Sequence, residues 1–208
     1  MKTLIINSYR VNSEVKIVPY IELVNKFSEY RVVSDVKLFS RAEYMDYDAL
    51  VLSGSADLIT RSTYSKTFYE FLRYNTIPCL GICYGHQMLA KAFGGTVLAG
   101  LKRVEGTETI RIIKNDLLFK DLSPEILVEE SHLEYVDLSS LSCAGFEVLA
   151  NSPTCEVEAI KHIEKIFYGV QFHPERSASI GETIVKNFFD IVRSKKPYFG
   201  NSTKSEYR

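Results

Sequence analysis

Apolar runs of strand length alternate with helix-spaced apolar positions through the first half of the chain. Residues 3–6 form a short apolar run that reads as a buried strand, and residues 15–27 place Ile17, Ile21, Val24 and Phe27 at helical spacing. The pattern returns to strand over 30–33 and again over 49–52. Residues 64–74 then set Phe68, Phe71 and Leu72 on one helical face, and 78–82 form another apolar run. Strand and helix in turn predict a parallel sheet covered on both sides.

Beyond about residue 95 the texture changes. Short strand-like runs at 96–98, 107–113, 126–128, 146–149, 156–161 and 165–172 are separated by turn residues, and some alternate apolar with polar. These predict an antiparallel extension of the sheet. A last helix over 180–192 turns Ile184, Phe188 and Ile191 inward. The expected architecture is a three-layer α/β/α fold, flavodoxin-like, with a mostly parallel sheet. Residues 1–194 read as one domain, and 195–208 as a polar, Ser-rich, loosely ordered tail.

Charge and composition narrow the function classes. The 208 residues carry a formal net charge of −1, which gives no electrostatic reason to expect nucleic acid or an anionic membrane as partner. The densest basic cluster, Arg193, Lys195 and Lys196, ends the last helix, where cations complement the helix dipole. Cys79, Cys83, Cys143 and Cys155 show neither Cys-x-x-Cys nor zinc spacing, so no metal is expected. No apolar stretch approaches the ~18 residues of a membrane span, and free thiols suit the reducing cytoplasm.

The chemistry concentrates in one segment. An apolar strand runs into Gly81-Ile82-Cys83-Tyr84-Gly85 and then a helix. This is the layout of a nucleophile elbow, in which two glycines permit a tight turn that presents the middle side chain out of the sheet. Cys83 would begin a helix, where free N–H groups stabilise a thiolate. A thiolate needs a proton shuttle, and His173 follows an apolar strand where open α/β sheets build their sites. Glu175, two residues on, can hold the far imidazole nitrogen. His86 is expected to pack or hydrogen-bond locally, and His162 to be solvated in a charged turn. The strand at 50–52 ends in Ser53-Gly54-Ser55-Ala56, small residues that let backbone N–H groups face a developing oxyanion.

With Gly81-Ile82-Cys83-Tyr84-Gly85-His86-Gln87 and Gly169-Val170-Gln171-Phe172-His173-Pro174-Glu175, the chain resembles the class I (triad-type) glutamine amidotransferases over roughly residues 3–192. The resemblance implies a class I amidotransferase fold without cofactor. Cys83 would attack the glutamine carboxamide, His173 would move the proton and Glu175 would hold His173. It also implies that Gln87 helps hold substrate, that N–H groups near Gly54 and Tyr84 form an oxyanion hole, and that Ser131 and His132 touch the amino-acid end of glutamine. Tyr84, Lys102-Arg103 and the run 145–150 are most similar to the glutaminase part of GMP synthetase, which implies an ATP-dependent synthetase partner on a separate chain. Three positions depart from the pattern. Ser55-Ala56 stands where the family has Gly-Pro, Leu133-Glu134 where the GMP branch has Gly-Asp, and Val104-Glu105 where it has Glu-Tyr. A partner-independent γ-glutamyl amide hydrolase and a regulatory homologue are the competing readings.

Overall fold

The computed structural model describes residues 1–38, 44–61 and 64–195. The expected tail, apart from Lys195, lies outside them. Nine strands form one sheet: β1 (Lys2–Asn7), β2 (Glu29–Ser34), β3 (Ala49–Leu52), β4 (Cys79–Ile82), β5 (Val97–Ile112), β6 (Glu125–Val136), β7 (Phe146–Asn151), β8 (Ala159–His162) and β9 (Phe167–Val170). Their order is β2-β1-β3-β4-β9-β8-β7-β5-β6. The pairs from β2 through β9 are parallel, and those from β9 to β6 are antiparallel. The extension expected from the alternating second half is thus nearly half the sheet.

Alternation within the parallel strands creates two cores. Ile5, Val51, Leu80, Ile82 and Val170 face one side. There they pack against α2 (Val18–Asn25) and α5 (Ala178–Lys195) through Tyr20, Leu23, Ile184 and Phe188. Leu4, Ile6, Leu50, Leu52 and Phe167 face the other side. Their partners are Phe68 and Leu72 of α3 (Lys66–Arg73) and Met88 and Leu89 of α4 (Tyr84–Ala92).

Three expectations are corrected. The single helix over 15–27 is two, with α1 (Ser13–Lys16) ending before Ile17. Pro19 in the first turn of α2 lacks an N–H to continue a preceding helix and favours a fresh start. The separate runs at 96–98 and 107–113 are one sixteen-residue strand, β5, irregular between Ala99 and Val104. The run at 126–128 extends to Val136, which puts Ser131 and His132 inside β6 rather than after it.

The long β5–β6 ribbon positions the site. It joins β7 only at Arg111 and Ile112 and then departs from the sheet. The middle of β6 consequently lies against the carboxyl ends of β4 and β9. His173 N–H donates to the Glu129 carbonyl at 2.8 Å, and Gln87 Nε2 donates to the Glu134 carbonyl at 2.7 Å.

Candidate active site

Cys83 stands between β4 and α4 with φ 50° and ψ −104°, a conformation that side chains rarely adopt. Its neighbours explain how it is kept there. A Cβ on Gly81 would come within 2.6 Å of the Gly85 backbone, and one on Gly85 within 2.6 Å of Leu52. Only hydrogen fits at either place, so strand and helix close on each other and the thiol is turned outward. Cys83 N–H is anchored on the Val170 carbonyl of β9 at 2.8 Å.

β4 and β9 are adjacent and parallel, with Ile82 opposite Val170. Cys83 and His173 therefore leave the sheet at the same edge. His173 Nδ1 donates to Glu175 Oε1 at 2.6 Å, and a carboxylate can only accept, so this bond fixes the tautomer. Nε2 is left without a hydrogen-bond partner, and the Cys83 thiol donates to the Ser131 carbonyl at 3.9 Å. Burial alone would lower the imidazole. The neighbouring Cys83 and Glu175 outweigh burial and raise His173 from 6.5 to about 10. The Glu175 side chain is wholly buried, and Arg176 Nε lies 3.6 Å from Oε1. Ser177 Oγ ties the turn by donating to the His173 carbonyl at 2.7 Å. Thiol, imidazole and carboxylate in series can ionise sulfur and pass its proton to a leaving group.

In the oxyanion segment the donors are sorted by what already binds them. Gly54 N–H is committed, donating to Tyr20 Oη at 3.0 Å. A Cβ there would meet the hydroxyls of Tyr20 and Tyr9 at 2.9 Å and His173 Cε1 at 3.3 Å. Ser53 Oγ donates to the Gly54 carbonyl at 2.8 Å and so sets the plane of the Gly54–Ser55 peptide. Ser55 Oγ points back to the Ser8 carbonyl, 2.8 Å away. Among the described residues the N–H groups of Ser55 and Tyr84 have no acceptor, which leaves both free to receive a developing oxyanion. Ser55, Tyr84, Gln87, Ser131 and His132 line one cleft with Cys83.

Gln87 donates both to Glu134 O, at 2.7 Å, and to Gln171 Oε1, at 3.0 Å, which leaves its own oxygen for a ligand. His132 is buried with Nδ1 3.0 Å from the Glu134 carbonyl. His86 is fully buried, and burial lowers it to about 3, so it packs under Gly169 as expected of a local role. His162 is not solvated. It is 6% exposed and sits edge-on to Phe93, Phe146 and Phe167, because it belongs to β8, where it pairs with Phe146, and not to the turn that follows.

Sequence reasoning missed Tyr20 and Tyr9, which support Gly54. It also missed the Glu134 side chain, which accepts from Ile59 and Thr60 N–H at 2.6 and 2.8 Å and so fixes the wall beyond Ala56. Arg103, at 3.4 Å from Ser131 Oγ, is a cation lining the cleft, a role that the Lys-Arg motif alone does not reveal.

Residues 2–192 match the family model of class I glutamine amidotransferases. The chain belongs to this family. It is 40% identical over 127 residues to the glutamine-hydrolysing GMP synthase subunit of Methanobrevibacter smithii, a stretch covering 61% of this chain and 65% of that one. It is 37% identical over 161 residues to the protein of the same name from Pyrococcus abyssi, covering 77% and 84%. In structure it resembles a Thermoplasma acidophilum protein described as a candidate GMP synthase subunit, with TM-score 0.80 and 25% identity over 93% and 94% of the two chains. A Thermotoga maritima glutamine amidotransferase shares the fold at TM-score 0.69 and 22% identity, over 95% of this chain and 86% of that one. Among the described residues no helix is long and apolar enough to cross a membrane. All four cysteines are free thiols.

Proposed function

We infer that this amidotransferase is the glutamine-hydrolysing component of a two-chain GMP synthase, acting in the cytoplasm and delivering ammonia to an ATP-dependent synthetase chain. Residues 1–194 act as its single catalytic domain. The observation that carries the reading is the shared edge of β4 and β9, from which Cys83 and His173 both emerge, with His173 already held by Glu175 at 2.6 Å. The names of the relatives support GMP synthesis as the use of the ammonia.

In this reading Cys83 Sγ attacks the carboxamide carbon of glutamine. The oxyanion develops towards the N–H groups of Ser55 and Tyr84, and each such donor contributes about 3 kcal/mol in the transition state. His173, carrying the thiol proton, gives it to the departing nitrogen, and ammonia leaves a glutamyl thioester on Cys83. His173 then takes a proton from water, hydroxide adds to the thioester carbon, and the thiolate leaves with glutamate as product. Glu175 holds the ring in place throughout. Ser131, His132 and the Gln87 oxygen face the amino-acid end of glutamine, and Arg103 supplies charge complementary to its carboxylate.

The test is ammonia release from glutamine, measured with and without the synthetase chain. Cys83→Ala abolishes it with the fold unchanged, and His173→Ala slows it by about 10²–10⁴. Adding the synthetase accelerates the wild type. Activity surviving in Cys83→Ala would refute the nucleophile assignment. Full turnover without a partner, undiminished on substituted γ-glutamyl amides, would instead mark a free-standing hydrolase.

A further inference from the structure

Two carboxyl groups that this chemistry does not use lie buried beside the cleft. Glu130 precedes His132 by two residues on β6 and so shares its face of the strand. Glu158 sits just before β8, held through its main chain to Ala150 and Gln171 at 2.9 and 2.8 Å. The two residues are 2% and 0% exposed, and each carboxyl bears on the other's ionisation. Among the described residues none of the four oxygens receives a hydrogen bond of good geometry from another group. The charged and titratable groups around them offer little compensation. Glu108 of β5 and Cys83 add negative charge and Cys155 is a buried thiol, while the Ser152 hydroxyl favours ionisation of Glu158 and not of Glu130. Arg103 and His173 bear on His132 rather than on the pair. Two carboxylates so placed cannot both be ionised. Burial, followed by the charge of Glu158, pushes Glu130 far up, and burial also raises Glu158.

The neighbouring histidine shows where the retained proton is useful. His132 Nδ1 lies 3.0 Å from the Glu134 carbonyl, which can only accept, so Nδ1 carries its hydrogen. Burial lowers His132 and keeps the ring neutral, so Nε2 is a bare acceptor. Nε2 has no partner of full geometry, and Glu130 Oε2 is 3.5 Å away. A carboxylate there would oppose the lone pair, whereas a carboxylic acid donates to it. The distance is long for a hydrogen bond, as such contacts often are before substrate tightens them.

We propose that Glu130 is an un-ionised carboxylic acid at neutral pH, backed by Glu158, and is a positioning residue whose O–H steadies His132 through Nε2 at the wall of the glutamine cleft. This rests on the glutamine reading for what His132 does, but not for where the proton is.

Nitrogen NMR of histidine-labelled protein reads the ring directly. The result expected at neutral pH is a His132 protonated at Nδ1 and bare at Nε2. Infrared spectra of glutamate-labelled protein should show the carbonyl stretch of an un-ionised carboxyl, with the Glu130 component lost in Glu130→Gln. In kinetics, Glu130→Gln, whose amide N–H can replace the donor, keeps KM for glutamine within about threefold. Glu130→Met, of similar size and without a donor, raises KM about tenfold with kcat nearly unchanged. A doubly protonated His132, an un-ionised carboxyl band left unchanged by Glu130→Gln, or a Glu130→Met enzyme with wild-type KM would each overturn the proposal. If the chain releases no ammonia at all, the glutamine reading fails while both spectra still decide the proton.

Discussion

Cys83 is held at φ 50° by contacts that belong to other residues, and this gives sharp expectations for single substitutions. Gly81→Ala and Gly85→Ala each force a Cβ to within 2.6 Å of packed backbone or of Leu52. Each should cost about 2–4 kcal/mol in denaturant unfolding, and any folded fraction should lose activity because the turn that aims sulfur has opened. His173 gives a pH signature. Burial works against its charge, but Cys83 and Glu175 prevail and raise it from 6.5 to about 10. A group so raised contributes stability that is fully present below 6.5 and is lost as pH climbs through about 10. Titration of His173 by NMR should show this elevated value, and Cys83→Ala should bring it down. The motif residues were legible because an elbow needs glycines at fixed spacing and a histidine at a strand end. Tyr20, Glu130 and Glu158 were not, because nothing local marks a tyrosine that will meet Gly54 thirty-four residues away or two glutamates that will bear on each other's ionisation.

At the scale of elements, the short apolar runs of the first half were read within a residue or two. Each strand at the centre of that half is buried on both faces, and its apolar run ends where the strand does. The β5–β6 ribbon escaped this logic. Lys102, Arg103 and Glu105 interrupt the apolar pattern of β5 because much of that strand is exposed, so one strand read as two. The ribbon nevertheless brings Ser131 and His132 to Cys83. The loop after β3 depends likewise on a distant element, α2, whose Tyr20 accepts from Gly54 N–H. Tyr20→Phe removes that acceptor and should lower stability by about 1 kcal/mol. If the loop carries the oxyanion donor, kcat should fall more than KM rises, which steady-state kinetics of ammonia release would measure.

For the whole molecule, the parallel half supplies stability through two apolar faces, while the antiparallel half buries ionisable carboxyls beside the site. Those carboxyls carry a cost that depends on pH. Glu130 and Glu158 both lie above the ordinary 4.5, so the folded state holds protons that the unfolded chain releases, and stability falls as pH rises above 4.5. Replacing Glu130 with Gln should therefore stabilise the protein, and the gain in Tm should be larger at about pH 9 than at about pH 6. A gain independent of pH would mean that the pair is already ionised. Catalysis itself depends on one sulfur at the end of β4 meeting one imidazole at the end of β9. The direct measurement is to treat the full chain with a glutamine-mimicking alkylator and map the adduct by mass spectrometry. The account predicts a single adduct on Cys83, blocked by glutamine and lost in Cys83→Ala. Label on Cys143, the exposed thiol, with Cys83 unmodified would contradict it.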